Sequence, residues 1–316
     1  MATIPDWAFK LADKAQRYRI FGSAPVDVAY HGQRPIPRAG RGMEWFGRRE
    51  YVPGDPLNII DWRSLSRHSH IEEPQMFVKT FDVELANLTT IVIDCSASMD
   101  TWGPKDGKFS TALGVAALLG WSAVNHDDPI EFVFIGGLDD DLLYSTGLIH
   151  SPVEYESEIK ALNSLSIKSS GSLSWDILID PVIGLKGTRH TIILIGDFFN
   201  LKDEVVKLMN VLKQIVQTVL AIRILSPKDE NPFESGQDIE LWDIEDPSST
   251  CEINFDLNAY RLKFHNHLND IADLFMAEGV RFADLLAIPG DYNYRSKKLV
   301  SPDNILNRLI KDELLL

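Results

Sequence analysis

Asp94, Ser96 and Ser98 stand at alternate positions in a D-x-S-x-S run. One carboxylate and two hydroxyls on a short turn supply three hard oxygens with little negative charge. Magnesium takes such a donor set: oxygen ligands in an octahedron, few carboxylates and several retained waters. The preceding residues, Ile91-Val92-Ile93, are apolar and β-branched. They predict a short buried strand with Asp94 at its C-terminal end. That edge is where open α/β sheets place their ligands.

The run resembles the metal-ion-dependent adhesion site (MIDAS) of von Willebrand factor A domains. That family completes its site with a Thr on a Gly-containing loop and an Asp after a later buried strand. Gly171-Ser172-Leu173-Ser174 matches the first, with Ser172 in place of Thr. His190-Thr191-Ile192-Ile193-Leu194-Ile195-Gly196-Asp197 matches the second. The resemblance implies that Ser96, Ser98 and Ser172 give hydroxyl oxygens to Mg2+ or Mn2+, with Asp94 and Asp197 binding directly or through water. One position stays open for a partner's Glu or Asp. Serine at 172 keeps the hydroxyl but lacks the methyl that stiffens χ1, which implies a working but looser site.

A second block precedes the first: Gly42-Met43-Glu44-Trp45-Phe46-Gly47-Arg48-Arg49-Glu50-Tyr51-Val52-Pro53-Gly54-Asp55, then Ile60-Asp61-Trp62-Arg63-Ser64-Leu65-Ser66-Arg67. This resembles the signature of the bacterial DUF58 family: G-x-E-F, R-x-Y-x-P-G-D, I-D-W and a downstream Arg, ahead of D-x-S-x-S-M. Met99 matches as well. The chain departs from the pattern at Trp45-Phe46, at Asn58-Ile59 and at Ser172. The resemblance covers roughly residues 30–290. It implies a partnership with a MoxR-type AAA+ ATPase in assembling or activating a client protein complex. Many family members are membrane-anchored, and this chain is similar to the soluble type found in methanol-oxidation gene clusters. Arg48, Arg49, Asp55, Asp61, Arg63 and Arg67 have two readings. They form ion pairs in a structural brace with Trp45, Phe46, Tyr51 and Trp62, or they dock the ATPase.

The composition bounds the function class. The 316 residues are 45% hydrophobic, enough to fill a sizeable core. A net charge of −15 argues against nucleic acid as the main partner. The charge is uneven: residues 1–80 carry net +3 and the remainder net −18. A solvated acidic surface is the ordinary reading, and an acidic face for a basic partner the sharper one. Two cysteines, Cys95 and Cys251, suit neither a zinc cluster nor a disulfide framework, and fit a reducing compartment. Residues 1–20 have no apolar leader segment, and the longest apolar run, 112–124, is too short to span a bilayer. The expectation is a cytoplasmic protein with no transmembrane span.

The elements that must position these residues read as a doubly wound, mainly parallel α/β sheet, as in von Willebrand factor A and Rossmann-like folds, with an N-terminal mixed extension. The expected domains are an extension over 1–86, an A-type domain over 87–300 with an insertion near 226–256, and a C-terminal helix over 301–316. An amphipathic helix is expected over 5–20. From residue 87, strands are expected at 89–94, 130–136, 141–146, 190–196, 217–225 and 280–287. Helices are expected at 109–126, 152–165, 174–185, 201–215, 257–278 and 302–314, with a hairpin within 226–250.

Other constellations are weaker. Gly103-Pro104-Lys105-Asp106-Gly107-Lys108-Phe109 imitates a phosphate-binding loop. It is one residue short between its glycines, and Phe109 stands where Ser or Thr belongs, so it reads as a loop beside the metal site. No G-x-S-x-G surrounds Ser96 or Ser98, which argues against a serine hydrolase. His68/His70 and His265/His267 each stand two positions apart, and on the helix expected for the second pair such positions diverge. Cys95 reads as a small core hydrophobe. The reading is a non-enzymatic interaction module. The alternatives are a metal-dependent hydrolase or phosphatase using the Asp94 loop, with Asp197 as the available base, and a metal-free scaffold.

Overall fold

The computed structural model of the chain describes residues 3–22, 43–51, 77–83, 87–101, 107–136, 142–164, 175, 190–199, 205–233, 236, 238–242, 250–288 and 302–316. It divides into two compact units, residues 1–24 with 86–316 and residues 25–85. In the smaller unit, β1 (Met43–Glu50) pairs antiparallel with β2 (Phe77–Val83), with an irregularity between Trp45 and Gly47.

The larger unit is built on a six-stranded sheet. In chain order, α1 (Asp6–Ala15) precedes β3 (Leu88–Asp94), α2 (Lys108–Asn125), β4 (Ile130–Ile135), β5 (Leu142–Ser145) and α3 (Pro152–Ser164). Then come β6 (His190–Gly196), α4 (Val205–Ile215), β7 (Thr218–Leu225) and a single turn, α5 (Pro227–Glu230). The hairpin β8 (Asp238–Trp242) and β9 (Thr250–Asn254), α6 (Leu257–Ala277), β10 (Arg281–Leu286) and α7 (Pro302–Lys311) complete it. The strand order is β10-β7-β6-β3-β4-β5. All neighbours are parallel except β5, which runs antiparallel to β4 at the edge. This is the α/β doubly wound sheet that the sequence predicts.

The interior strands are apolar on both faces, as a sheet covered by helices on two sides requires. Ile91 and Ile93 of β3, Ile193 and Ile195 of β6, and Leu220, Ile222 and Ile224 of β7 join one core with α1, α2, α3 and α7. Val92, Ile192, Leu194, Val219 and Ala221 face the other way, against Leu208, Met209 and Leu212 of α4 and Ile271 and Phe275 of α6. Helix α2 is buried nearly all round, so it lacks a polar face. It touches both α1 and α3. Trp7, Ala8 and Leu11 of α1 are buried in this core, so the first helix is part of the sheet's own unit. That helix is shorter than the expected 5–20: it stops at Ala15, and Ile20 bridges to Leu315. The expected helix at 174–185 lies outside the described residues except for Trp175. Among the described residues no helix is long and apolar enough to cross a membrane.

Topology sets where a site can form. From β3 the chain steps one way to β4 and β5, then returns to β6 on the other side of β3. The strand order therefore reverses between β3 and β6, the crevice where doubly wound sheets bind ligands. The C-terminal ends of these two strands carry Asp94 and, one residue beyond β6, Asp197.

Candidate functional site

The Asp94 turn is short and tightly fixed. β3 ends at Asp94, and Cys95 donates its backbone N–H to the Ile135 carbonyl at 2.7 Å, extending the ladder to β4. The Ser96 N–H then donates to Asp94 Oδ1 at 2.7 Å, closing an Asx turn. A 3₁₀ turn, Ala97–Asp100, follows, and Ser96 Oγ and Ser98 Oγ lie 2.8 Å apart. Two glycines make room. Gly136, just after β4, has φ +119°, and a Cβ there would lie 2.9 Å from Cys95 C and Ser96 N. Gly196 leaves space for the Asp94 carboxylate, since a Cβ would stand 2.8 Å from Oδ2.

The opposite wall is the loop after β6. Asp197 is 3% exposed, and its Oδ1 accepts the Phe199 N–H at 3.3 Å. Phe198 holds φ +58°, an uncommon conformation for a bulky residue. Its ring is buried among Trp175, Phe275 and Phe282, with centroids 5.3, 5.2 and 6.5 Å away. The local strain is thus held by packing, and it turns Asp197 and Phe199 toward the crevice. His267 Nε2 donates to the Phe199 carbonyl at 2.9 Å, while His265 faces Glu230, so the two histidines diverge on α6 as their spacing predicts.

Between the walls lies Lys108, the first residue of α2. Its Nζ donates to Asp197 Oδ2 at 2.8 Å and to the Ser98 carbonyl at 3.1 Å. It also lies 3.5 Å from Asp229 Oδ2, with a side-chain exposure of 2%. Asp229 belongs to α5, where its carboxylate closes a capping box with Ser226. Three loops, after β3, β6 and β7, therefore meet on one ammonium group. Sequence reasoning puts the loop that contains Lys108 beside the metal site but gives neither Lys108 nor Asp229 a role in it.

The electrostatics follow from this crowding. Burial, then the neighbouring Asp197, push the Asp94 pKa up to about 7, against the hydrogen bonds from Ser96 and the Lys108 charge. Burial would depress Lys108, but Asp197 and Asp229 more than offset it, and its pKa rises. The ammonium therefore stays charged. Burial also pushes the Cys95 thiol well up. Cys95 is a fully buried core residue, as expected.

Of the expected ligands, the structure brings Asp94, Ser96, Ser98 and Asp197 to one crevice. Ser172 lies outside the described residues, as do Asp55, Asp61, Arg63, Arg67, His68 and His70. Arg48 and Arg49 are described only as backbone positions of β1. The donors present fit a small hard cation. Ligands at the magnesium–oxygen distance of about 2.0–2.1 Å have neighbouring oxygens about 2.9 Å apart in an octahedron. The Ser96 and Ser98 hydroxyls hydrogen-bond each other at 2.8 Å, an ordinary hydroxyl–hydroxyl distance that is also compatible with adjacent vertices of such an octahedron.

Comparison with known proteins finds distant structural likeness. A conserved hypothetical protein, BatB from Bacteroides thetaiotaomicron, aligns with TM-score 0.42 and 14% identity, over 72% of this chain and 98% of that one. A von Willebrand factor type A protein from Catenulispora acidiphila aligns with TM-score 0.37 and 13% identity, over 75% and 43%. An aerotolerance-related membrane protein from Bacteroides fragilis aligns with TM-score 0.34 and 16% identity, over 72% and 100%. No curated protein matches the chain. As the motif blocks predict, a family match is found: residues 47–151, a third of the chain, from within the Arg-rich block past the Asp94 turn, match the family described as Protein of unknown function DUF58.

Proposed function

We propose that this chain is a non-enzymatic, metal-dependent protein-interaction module that works as an adaptor or co-chaperone of a MoxR-type AAA+ ATPase on a client protein complex. The observation that carries the reading is the Asp94–Ser96–Ser98 turn. It holds a carboxylate and a hydrogen-bonded pair of hydroxyls at the switch point of a doubly wound sheet, near Asp197. Asp94, Ser96 and Ser98 would hold Mg2+ or Mn2+, with Asp197 beside them. When bound, the ion supplies a Lewis-acidic position for a carboxylate of the client or ATPase. The chain's own residues fix the turn and set its charge. The ATPase partnership is supported by the family resemblance of the two motif blocks.

A hydrolytic reading has less support. Asp197, the base that the sequence offers, accepts from Lys108 on one oxygen and from Phe199 N–H on the other, so it is held as a structural anion.

The test is capture of a purified MoxR-type ATPase on immobilised protein, in Mg2+ and in EDTA, with wild type and Ser96→Ala/Ser98→Ala. Retention by wild type in Mg2+ alone is expected. Equal retention in all four conditions would remove the metal site from the interface.

A further inference from the structure

The placement of Lys108 is expensive by every local measure. A buried ammonium loses its hydration. At the start of α2 the helix dipole opposes a positive charge. The side chain is tolerated because Asp197 and Asp229 surround it, at 2.8 and 3.5 Å, with the Ser98 carbonyl as a third acceptor and the Phe199 ring centroid 4.8 Å away. The ammonium does not take the side-chain oxygens of the Asp94 turn. The Ser96 and Ser98 hydroxyls contact each other, and Asp94 Oδ1 accepts the Ser96 N–H. Lys108 stands beside those donors and occupies the opposite carboxylates.

We propose that Lys108 is the resident counter-cation of the metal site: it holds Asp197 and Asp229 out of direct coordination, so that a divalent ion on Asp94, Ser96 and Ser98 keeps unneutralised charge and takes an anionic ligand from outside. The proposal rests on the metal-binding reading above and adds to it the residue that sets the charge. Asp94, Asp197 and Asp229 bring three negative charges, Lys108 one positive and the ion two. The cluster is then neutral, and an incoming carboxylate meets a cation that a single carboxylate and two neutral hydroxyls hold directly. Without Lys108 the cluster is negative before the partner arrives. Lys108 therefore weakens the hold on the metal and strengthens the hold of the metal on a carboxylate.

The test is calorimetric titration of EDTA-stripped, full-length protein with Mg2+, followed by acetate titration into the Mg2+-loaded protein as the carboxylate probe. Lys108→Met is expected to bind Mg2+ more tightly than wild type, by more than about tenfold, because a positive charge within reach of the ion has gone. Its acetate binding is expected to weaken. Lys108→Met/Asp229→Asn restores the charge balance, and both affinities should return toward wild type. Should Lys108→Met fail to fold, Asp229→Asn alone decides: its Mg2+ affinity should fall, and an unchanged value overturns the proposal. If wild type binds Mg2+ and Lys108→Met binds it equally or less tightly, the counter-cation role is refuted while the metal site stands. If Lys108→Met binds Mg2+ and wild type does not, the lysine takes the place of the metal instead of serving it, and both this proposal and the metal-dependent reading of the native chain fall. If no protein in the series binds Mg2+, the metal-site reading falls and this proposal with it.

Discussion

Asp94→Asn is expected to stabilise the metal-free protein. Asp94 is 2% exposed, and burial with Asp197 nearby raises its pKa from 3.8 to about 7. The native state therefore holds this proton more tightly than the unfolded chain. Well below pH 3.8 both states are protonated and ionisation contributes no difference. As pH rises from 3.8 toward 7, the unfolded chain ionises first and native stability falls. At about 1.4 kcal/mol per unit, the loss reaches on the order of 4 kcal/mol once the native carboxyl ionises. Asparagine has nearly the same shape, can still accept the Ser96 N–H, and never ionises. Urea unfolding followed by circular dichroism in EDTA, from pH 5 to 8, should show Asp94→Asn gaining on wild type as pH rises. At pH 8 the variant should be the more stable by a few kcal/mol. Mg2+ should narrow the gap: at about 100 times its Kd an ion adds about 2.7 kcal/mol to a native state that binds it, and the variant should gain little. A variant no more stable than wild type at pH 8 in EDTA would refute the claim that Asp94 carries an uncompensated buried charge.

His190 gives the opposite pH slope. It is fully buried, with Nε2 2.8 Å from Thr90 Oγ1, and burial lowers its pKa from 6.5 to about 4. Its neutral form contributes stability that is complete above about pH 6.5 and is lost as pH falls toward 4, by up to about 3 kcal/mol. His190→Gln should flatten that acid limb in the same urea series. Gly196→Ala would place a Cβ 2.8 Å from Asp94 Oδ2. It should cost about 1–3 kcal/mol and reduce the Mg2+-induced rise in melting temperature. Phe198→Ala keeps the positive φ but removes the ring packed on Trp175, Phe275 and Phe282. A loss of about 3–5 kcal/mol is expected from thermal or urea unfolding, together with weaker Mg2+ binding because Asp197 is no longer held.

What was legible in the sequence is what a single strand carries on its own. Ile91-Val92-Ile93 and Ile192-Ile193-Leu194-Ile195 are apolar throughout, and a charged residue after such a run can only stand at its end. The apolar runs alone therefore put Asp94 and Asp197 on strand termini, whatever their contacts. Parallel pairing of β3 with β6, Ile93 opposite Ile195, then brings them to the same crevice. What Asp94 meets there is a tertiary matter. Its raised pKa depends on Asp197, and Gly196 has to lack a side chain because of where Asp94 points.

The roles of Lys108 and Asp229 are hidden in the sequence for a different reason. In the sequence Lys108 ends a polar loop, where a solvated lysine is the ordinary expectation, and Asp229 closes Ser226-Pro227-Lys228-Asp229, a capping pattern already satisfied by its own turn. Neither position shows that it will be buried against the other. One local conflict was nevertheless visible. Lysine at the first position of a long apolar helix faces the wrong end of the dipole, where Asp, Ser or Thr would be stabilising. Such a violation persists only if something outside the helix compensates for it. Here the compensation comes from the two carboxylates after β6 and β7, each on a separate loop. A residue that breaks its own helix's electrostatics to join three loops is placed by the site and not by the helix. That inference does not depend on which ion the Asp94 turn binds.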